Sequence, residues 1–122
     1  MNKANLYYEK LDDIFGGDKA LIYKVCQSFL KHGGNYQSLI NEAHKNKNGD
    51  ELKRIAHSLK SSFIMFGDQE AQNAAIDLEK VGENNLWENS DKKISKFNTL
   101  LQDAIKTSQK IIDSSFNKEN EW

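Results

Sequence analysis

Apolar residues recur at helical spacing along nearly the whole chain of 122 residues, and no proline occurs anywhere to break a helix. Alanine, leucine, lysine, glutamate and glutamine, which favour helices, are spread throughout. The apolar pattern stops only at a few points rich in glycine or asparagine, which divide the chain into one short and four longer segments. The sequence therefore predicts an all-α protein, an antiparallel four-helix bundle preceded by a short N-terminal helix.

The length indicates a single domain over residues 1–122, with a core from about residue 4 to residue 113 and a tail, residues 114–122, that we expect to fray. The 17 basic and 18 acidic residues nearly cancel, so the net charge does not favour binding to nucleic acid. Cys26 is the only cysteine, which excludes an internal disulfide and favours a reducing, cytoplasmic location. Because no apolar stretch reaches about twenty residues, we expect no membrane insertion.

Capping residues predict where the helices begin and end. Gly16-Gly17 ends the first segment, and Asp18 is well placed to cap the second. Gly33-Gly34 predicts a bend or a brief break in that second helix. Gly67 predicts the C-terminus of the third segment. Three further N-caps are predicted at Asp50, Asp68 and Ser90.

Each segment carries an apolar face that we expect to be buried. In the first segment the predicted face is formed by Leu6, Leu11, Ile14 and Phe15. In the second it is formed by Leu21, Ile22, Val25, Cys26, Phe29 and Leu30, followed by Tyr36, Leu39, Ile40 and Ala43. In the fourth and fifth it is formed by Ala71, Ala74, Ala75, Leu78 and Val81, then by Ile94, Phe97, Leu101, Ala104, Ile105 and Ile111 or Ile112.

The third segment carries a histidine outside its apolar face. At about 100° per residue, a stripe lies within about 60° of Leu52 and consists of Leu52, Ile55, Ala56, Leu59, Phe63 and Phe66. On the same helical wheel His57 lies at about 140°, between Lys53 and Lys60 on one side and Ser61 on the other. Ile64 lies on the same outward face, with Met65 beside it, where a partner could cover both.

The stretch AHSLKSSFIMFG resembles the signature of histidine phosphotransfer (HPt) domains, typically Ala-His-x-Leu-Lys-Gly-Ser with a glycine ten residues after the histidine. The match consists of Ala56, His57, Leu59, Lys60, Ser62 and Gly67. FGGD at residues 15–18, the Phe29-Leu30 pair, the approach from residue 43 to 50 and the Leu78-Glu79 pair also look like the family, so the resemblance spans roughly residues 6–105. The sequence departs from the family at Ser61, where glycine is usual, and at Asp68, where alanine or leucine is common.

The resemblance implies a phosphocarrier, which relays phosphoryl groups between aspartates of receiver domains in response regulators or a hybrid sensor kinase. His57 aligns with the phosphorylated histidine and Lys60 with the lysine that offsets phosphoryl charge. No cofactor or metal site is expected in the chain itself, because Mg²⁺ would come with the receiver. The chain holds no nucleotide-binding motif, so we expect a carrier and not an enzyme with its own turnover.

Supporting and docking residues complete the prediction. In an antiparallel hairpin that turns at Gly67, Glu79 reaches the level of His57 and could hold its second ring nitrogen. Ser61 is small enough to leave the imidazole accessible. The receiver is expected to dock over Lys53, Ile64 and Met65, and the chain is expected to be a monomer.

Two other interpretations remain open. An HPt-like helical adaptor would bind receivers without carrying phosphate, although such an adaptor would be expected to lack the histidine or the lysine. A helical scaffold with an accidental His-x-x-Lys would leave Ile64 and Met65 exposed without purpose.

Overall fold

The computed structural model describes residues 2–117, with the side chains of residues 2–114. Its helices are α1 (Lys3–Phe15), α2 (Lys19–Lys45), α3 (Gly49–Phe66), α4 (Gln69–Asn84) and α5 (Ser90–Asn117). Helices α2 to α5 form the predicted four-helix bundle, in which α3 packs mainly on α4 and α2 on α5, while α1 lies against α2, α3 and α5. Within the described part, no helix is long and apolar enough to cross a membrane.

One cluster of buried side chains joins all five helices and runs from Ala4 to Ile112. The predicted faces of α3 and α4 are buried completely. Phe63 lies at the centre of this core, with its ring centroid 6.1 Å from that of Phe29 and 5.9 Å from that of Phe97. Helix α5 continues to Asn117, into the segment predicted to fray, and residues 118–122 lie outside the described part of the chain.

The face that α1 buries differs from the prediction. Leu6 and Ile14 are 51% and 47% exposed, whereas Tyr7 is buried. The Tyr7 ring stacks on Phe66 at 4.6 Å, and its hydroxyl donates a hydrogen bond to the Asp68 carboxylate at the start of α4. The prediction was wrong because the α3–α4 turn offers both an aromatic surface and a buried acceptor, which favours a tyrosine over the neighbouring aliphatic residues.

Helix α2 is continuous, so the break is wrong in the prediction of a bend or a brief break at Gly33-Gly34. Gly33 is buried against α5, where an added Cβ would lie 2.8 Å from the Ile105 side chain. Close packing between the two long helices therefore offsets the low helix propensity of glycine. Leu21 is 41% exposed and was also predicted wrongly, because it lies about 100° around the helix from the buried Ile22.

The caps at Asp18, Gly67 and Asp68 are confirmed, but two others differ from the prediction. Asn48, and not Asp50, caps α3, since its side chain accepts a hydrogen bond from the Glu51 amide. Ser90 is the first helical residue of α5, and its hydroxyl donates to the Trp87 carbonyl instead of capping.

Two glycines bring α3 and α4 unusually close. An added Cβ on Gly82 would lie 2.5 Å from the Gly49 carbonyl oxygen and 2.9 Å from the Lys53 amide nitrogen. A Cβ on Gly49 would in turn lie 2.4 Å from the Gly82 carbonyl oxygen. Because both neighbours are backbone atoms, only glycine allows this crossing, which sets the register of the two helices.

Gly82→Ala is therefore expected to lower the free energy of unfolding by about 1–3 kcal/mol, despite the better helix propensity of alanine, because the helices must separate. Gly34→Ala is the matched control, since Gly34 is also helical and nothing lies within 4 Å of an added Cβ. This control should gain about 0.5–1 kcal/mol. Urea denaturation of the two variants checks both values, and equal stability would contradict the crossing.

Candidate functional site

His57 lies on the outer flank of α3, on the side that faces α4. The stripe from Leu52 to Phe66 is buried, as the helical wheel predicts, and this orientation leaves the His57 side chain 65% exposed. The ring is thus accessible to a large partner while its helix is fixed by the core.

Helix α4 places a carboxylate beside this histidine. Glu79 Oε2 lies 3.3 Å from His57 Nδ1, and Glu79 Oε1 lies 2.7 Å from Lys60 Nζ. The Glu79 side chain is only 15% exposed, and that of Lys60 is 24% exposed. The contact expected between Glu79 and His57 is present, and the same carboxylate also binds the lysine, which the sequence did not indicate.

The two cationic partners control the charge of Glu79. Burial acts to raise the pKa of the Glu79 carboxyl, but the hydrogen bonds from Lys60 and His57 outweigh it and leave the pKa below its ordinary value. Glu79 is therefore ionised at neutral pH and can hold a proton on Nδ1 of the imidazole. With Nδ1 held in this way, Nε2 is the ring nitrogen left for chemistry.

Carboxylates of α4 lie beside both lysines that flank His57 on the helical wheel. Lys53 Nζ lies 3.4 Å from Glu83 Oε1, so each of the two lysines that flank His57 pairs with a carboxylate. The sequence prediction missed Glu83. Its signal is the register of the hairpin, since Glu83 follows Glu79 by four residues as Lys53 precedes His57 by four.

The other predicted site residues lie around this cluster at different positions. Ser61 is exposed, and its hydroxyl is 3.5 Å from the His57 carbonyl oxygen. Ile64 is 48% exposed on the outer face. Met65 is half-buried and lines a groove between α2 and α3, away from α4. Gly67 ends α3 in the left-handed conformation, with φ at 72°.

Asp68 departs from the family pattern, and the structure shows contacts of its side chain that the sequence did not reveal. Its carboxylate caps α4, accepts from the Tyr7 hydroxyl and lies 3.2 Å from Lys3 Nζ. Lys3 also contacts Asp103 at 2.7 Å. Asp68 therefore attaches α1 to the turn that follows the histidine helix.

The remaining histidines lie elsewhere. His32 is exposed on α2, and His44 Nε2 lies 3.0 Å from the Ser90 hydroxyl and 3.2 Å from Asp91. Across the described residues, no three histidine, cysteine, aspartate or glutamate side chains are grouped in a way that could hold a metal ion.

The family model of the Hpt domain matches residues 24–110, a range that contains His57, Lys60 and Glu79 and leaves out α1. No curated protein and no solved structure matches the chain. Hpt domains are helical bundles that take part in histidine phosphotransfer in two-component signalling. They carry no kinase domain. The match covers well over half of the sequence, and the chain belongs to the Hpt domain family.

Proposed function

We propose that this chain is a phosphocarrier that accepts and donates a phosphoryl group on His57, in exchange with receiver-domain aspartates. The observation that carries the proposal is the His57 ring itself, which is 65% exposed and has its Nδ1 3.3 Å from an ionised Glu79. This arrangement favours the tautomer with the proton on Nδ1, which leaves the Nε2 lone pair free to attack.

The transfer step balances without an added acid or base. The Nε2 lone pair of His57 attacks the phosphorus of an aspartyl phosphate, the phosphorus–oxygen bond breaks, and the aspartate leaves as a carboxylate with the bonding electrons. The ring keeps its Nδ1 proton and becomes a phosphorylated imidazolium. The carboxylate of Glu79 stabilises that positive charge, and the reverse step returns the phosphoryl group to an aspartate.

Lys60 is proposed to stabilise the negative charge on the transferring phosphoryl oxygens. Before phosphorylation the Lys60 ammonium lies 2.7 Å from Glu79, the carboxylate that also contacts the His57 ring. A phosphoryl group on His57 offers a competing set of anionic oxygens, so the ammonium can move to it or bridge it to Glu79. Glu79 thus holds both Lys60 and the His57 ring through one carboxylate before phosphate arrives.

The partner is proposed to be a receiver domain of a response regulator or of a hybrid sensor kinase, which also supplies Mg²⁺. We propose that the chain acts as a cytoplasmic monomer and has no turnover of its own. Docking is assigned to Lys53, Ile64 and Met65. Ile64 supports this best: it is 48% exposed on the His57 face of α3, about two helical turns from that residue, and burial under a partner would be favourable.

The alternative, an adaptor that binds receivers without carrying phosphate, requires neither a free ring nitrogen nor a lysine beside it. The contacts of Glu79 with both His57 and Lys60 therefore favour the carrier.

A transfer assay tests the proposal. Wild-type protein mixed with candidate receivers phosphorylated on aspartate should acquire a label that is labile in acid and stable in base. Lys60→Ala should slow the transfer by about 10- to 1000-fold at saturating receiver, the cost of one lost charge-stabilising contact. If Lys60→Ala transferred phosphate at the wild-type rate, the lysine would be only a structural partner of Glu79. If the wild-type chain acquired no label, the adaptor would be favoured.

A further inference from the structure

The outer flank of His57, opposite α4, is occupied by Ser61. We propose that the Ser61 hydroxyl donates a hydrogen bond to the phosphoryl group on His57 Nε2 and stabilises it there. The inference rests on the proposed function and adds a second phosphoryl-contacting residue to Lys60.

The position of Ser61 on α3 brings its hydroxyl next to the backbone of His57. Residues four apart lie on one helix face, and helical side chains lean toward the N-terminus, so the side chain at 61 leans back over residue 57. The 3.5 Å contact between Ser61 Oγ and the His57 carbonyl oxygen shows this orientation.

The other donor is held on the opposite flank. Lys60 Nζ contacts Glu79 on the α4 side, where Nδ1 of the ring is also held. A phosphoryl group on Nε2 projects away from Nδ1 and has three oxygens to satisfy. Ser61 is exposed and lies about 40° around the helix from His57, on the side away from α4. Donors on both flanks could then contact different oxygens of the same group.

The present hydrogen bond of Ser61 is long enough to be exchanged easily. A hydroxyl 3.5 Å from its acceptor loses little when it rotates toward an anionic oxygen, and a hydrogen bond to a charged group is the stronger of the two. Ser58 offers a contrast on the same helix. Its hydroxyl donates to the Arg54 carbonyl at 3.2 Å, and it lies about 100° around the helix from His57.

The test compares four variants: Ser61→Ala, Ser61→Gly, Ser61→Thr and Ser58→Ala. Each receives phosphate from a phosphorylated receiver and, separately, from phosphoramidate, a small donor that needs no docking surface. We expect Ser61→Ala and Ser61→Gly to slow the saturating rate by about three- to tenfold with both donors, with an unchanged half-saturating receiver concentration. Ser61→Thr, which keeps the hydroxyl, should stay within about twofold of wild type, and Ser58→Ala should match wild type.

Other results overturn the assignment in distinct ways. Wild-type rates in Ser61→Ala would mean that the hydroxyl is only solvated and does not contact the phosphoryl group. Faster transfer in Ser61→Gly would mean that the serine side chain hinders transfer sterically. Loss with the receiver alone would make Ser61 a docking contact. Loss in Ser61→Thr equal to that in Ser61→Ala would assign the effect to shape. A wild-type chain that takes phosphate from neither donor overturns the proposed function itself, whereas the other results overturn only the role of Ser61.

Discussion

A His57→Gln variant is expected to fold like the wild-type chain and to accept no phosphoryl group from any donor. Glutamine is close to histidine in size, but its amide nitrogen has no lone pair available to attack phosphorus. The side chain at 57 is 65% exposed, and Glu79 keeps its 2.7 Å contact with Lys60, so the free energy of unfolding should change by about 0.5 kcal/mol or less. Acid-labile phosphate on the protein and a circular-dichroism melt measure the two halves of this prediction.

His32→Gln is the matched control for that experiment, because His32 is an exposed histidine on a bundle helix and no carboxylate among the described residues pairs with it as Glu79 does with His57. It should accept phosphate at the wild-type rate. Label that persists on His57→Gln and disappears from His32→Gln would move the phosphorylated residue to α2, and the role of Glu79 and Lys60 would be lost with it.

Phe63→Ala should have the largest effect on stability, about 3–5 kcal/mol in the free energy of unfolding. Phe63 is fully buried, and edge-to-face contacts join it to Phe29 of α2 and Phe97 of α5. Removing the ring leaves a cavity at the point where three helices of the bundle meet. Because domains of this size are stable by about 5–15 kcal/mol, the variant should unfold at a much lower urea concentration.

Leu6→Ala serves as the control for the loss of an apolar side chain, since Leu6 is 51% exposed on α1. Its free energy of unfolding should stay within about 0.5 kcal/mol of wild type. If Phe63→Ala were equally harmless, α3 would have to be rotated about its axis, and His57 would no longer face outward beside Glu79.

The sequence alone determined the orientation of α3 and pointed to His57 as the residue that we propose is phosphorylated. Its apolar stripe returns to one face every three or four residues from Leu52 to Phe66, so a buried stripe and an outward His57 follow from helical geometry. The end of that helix could also be predicted from local sequence, because Gly67 adopts the left-handed conformation and the Asp68 side chain caps the next helix. The level of Glu79 followed from counting residues on either side of the same turn.

Tertiary structure decided the features that depend on what lies across from a residue. Tyr7 lies in the core, where Leu6 and Ile14 were predicted, because its ring stacks on Phe66 and its hydroxyl donates a hydrogen bond to Asp68. Gly33 sits inside a continuous helix because α5 packs against it at the position a Cβ would occupy. The pairing of Lys60 with Glu79 likewise needs the close crossing of α3 and α4. Periodicity and capping depend on residues within one segment of the chain. These three features depend instead on the shape and charge of a different segment that packs against it, and a local sequence pattern carries no information about that segment.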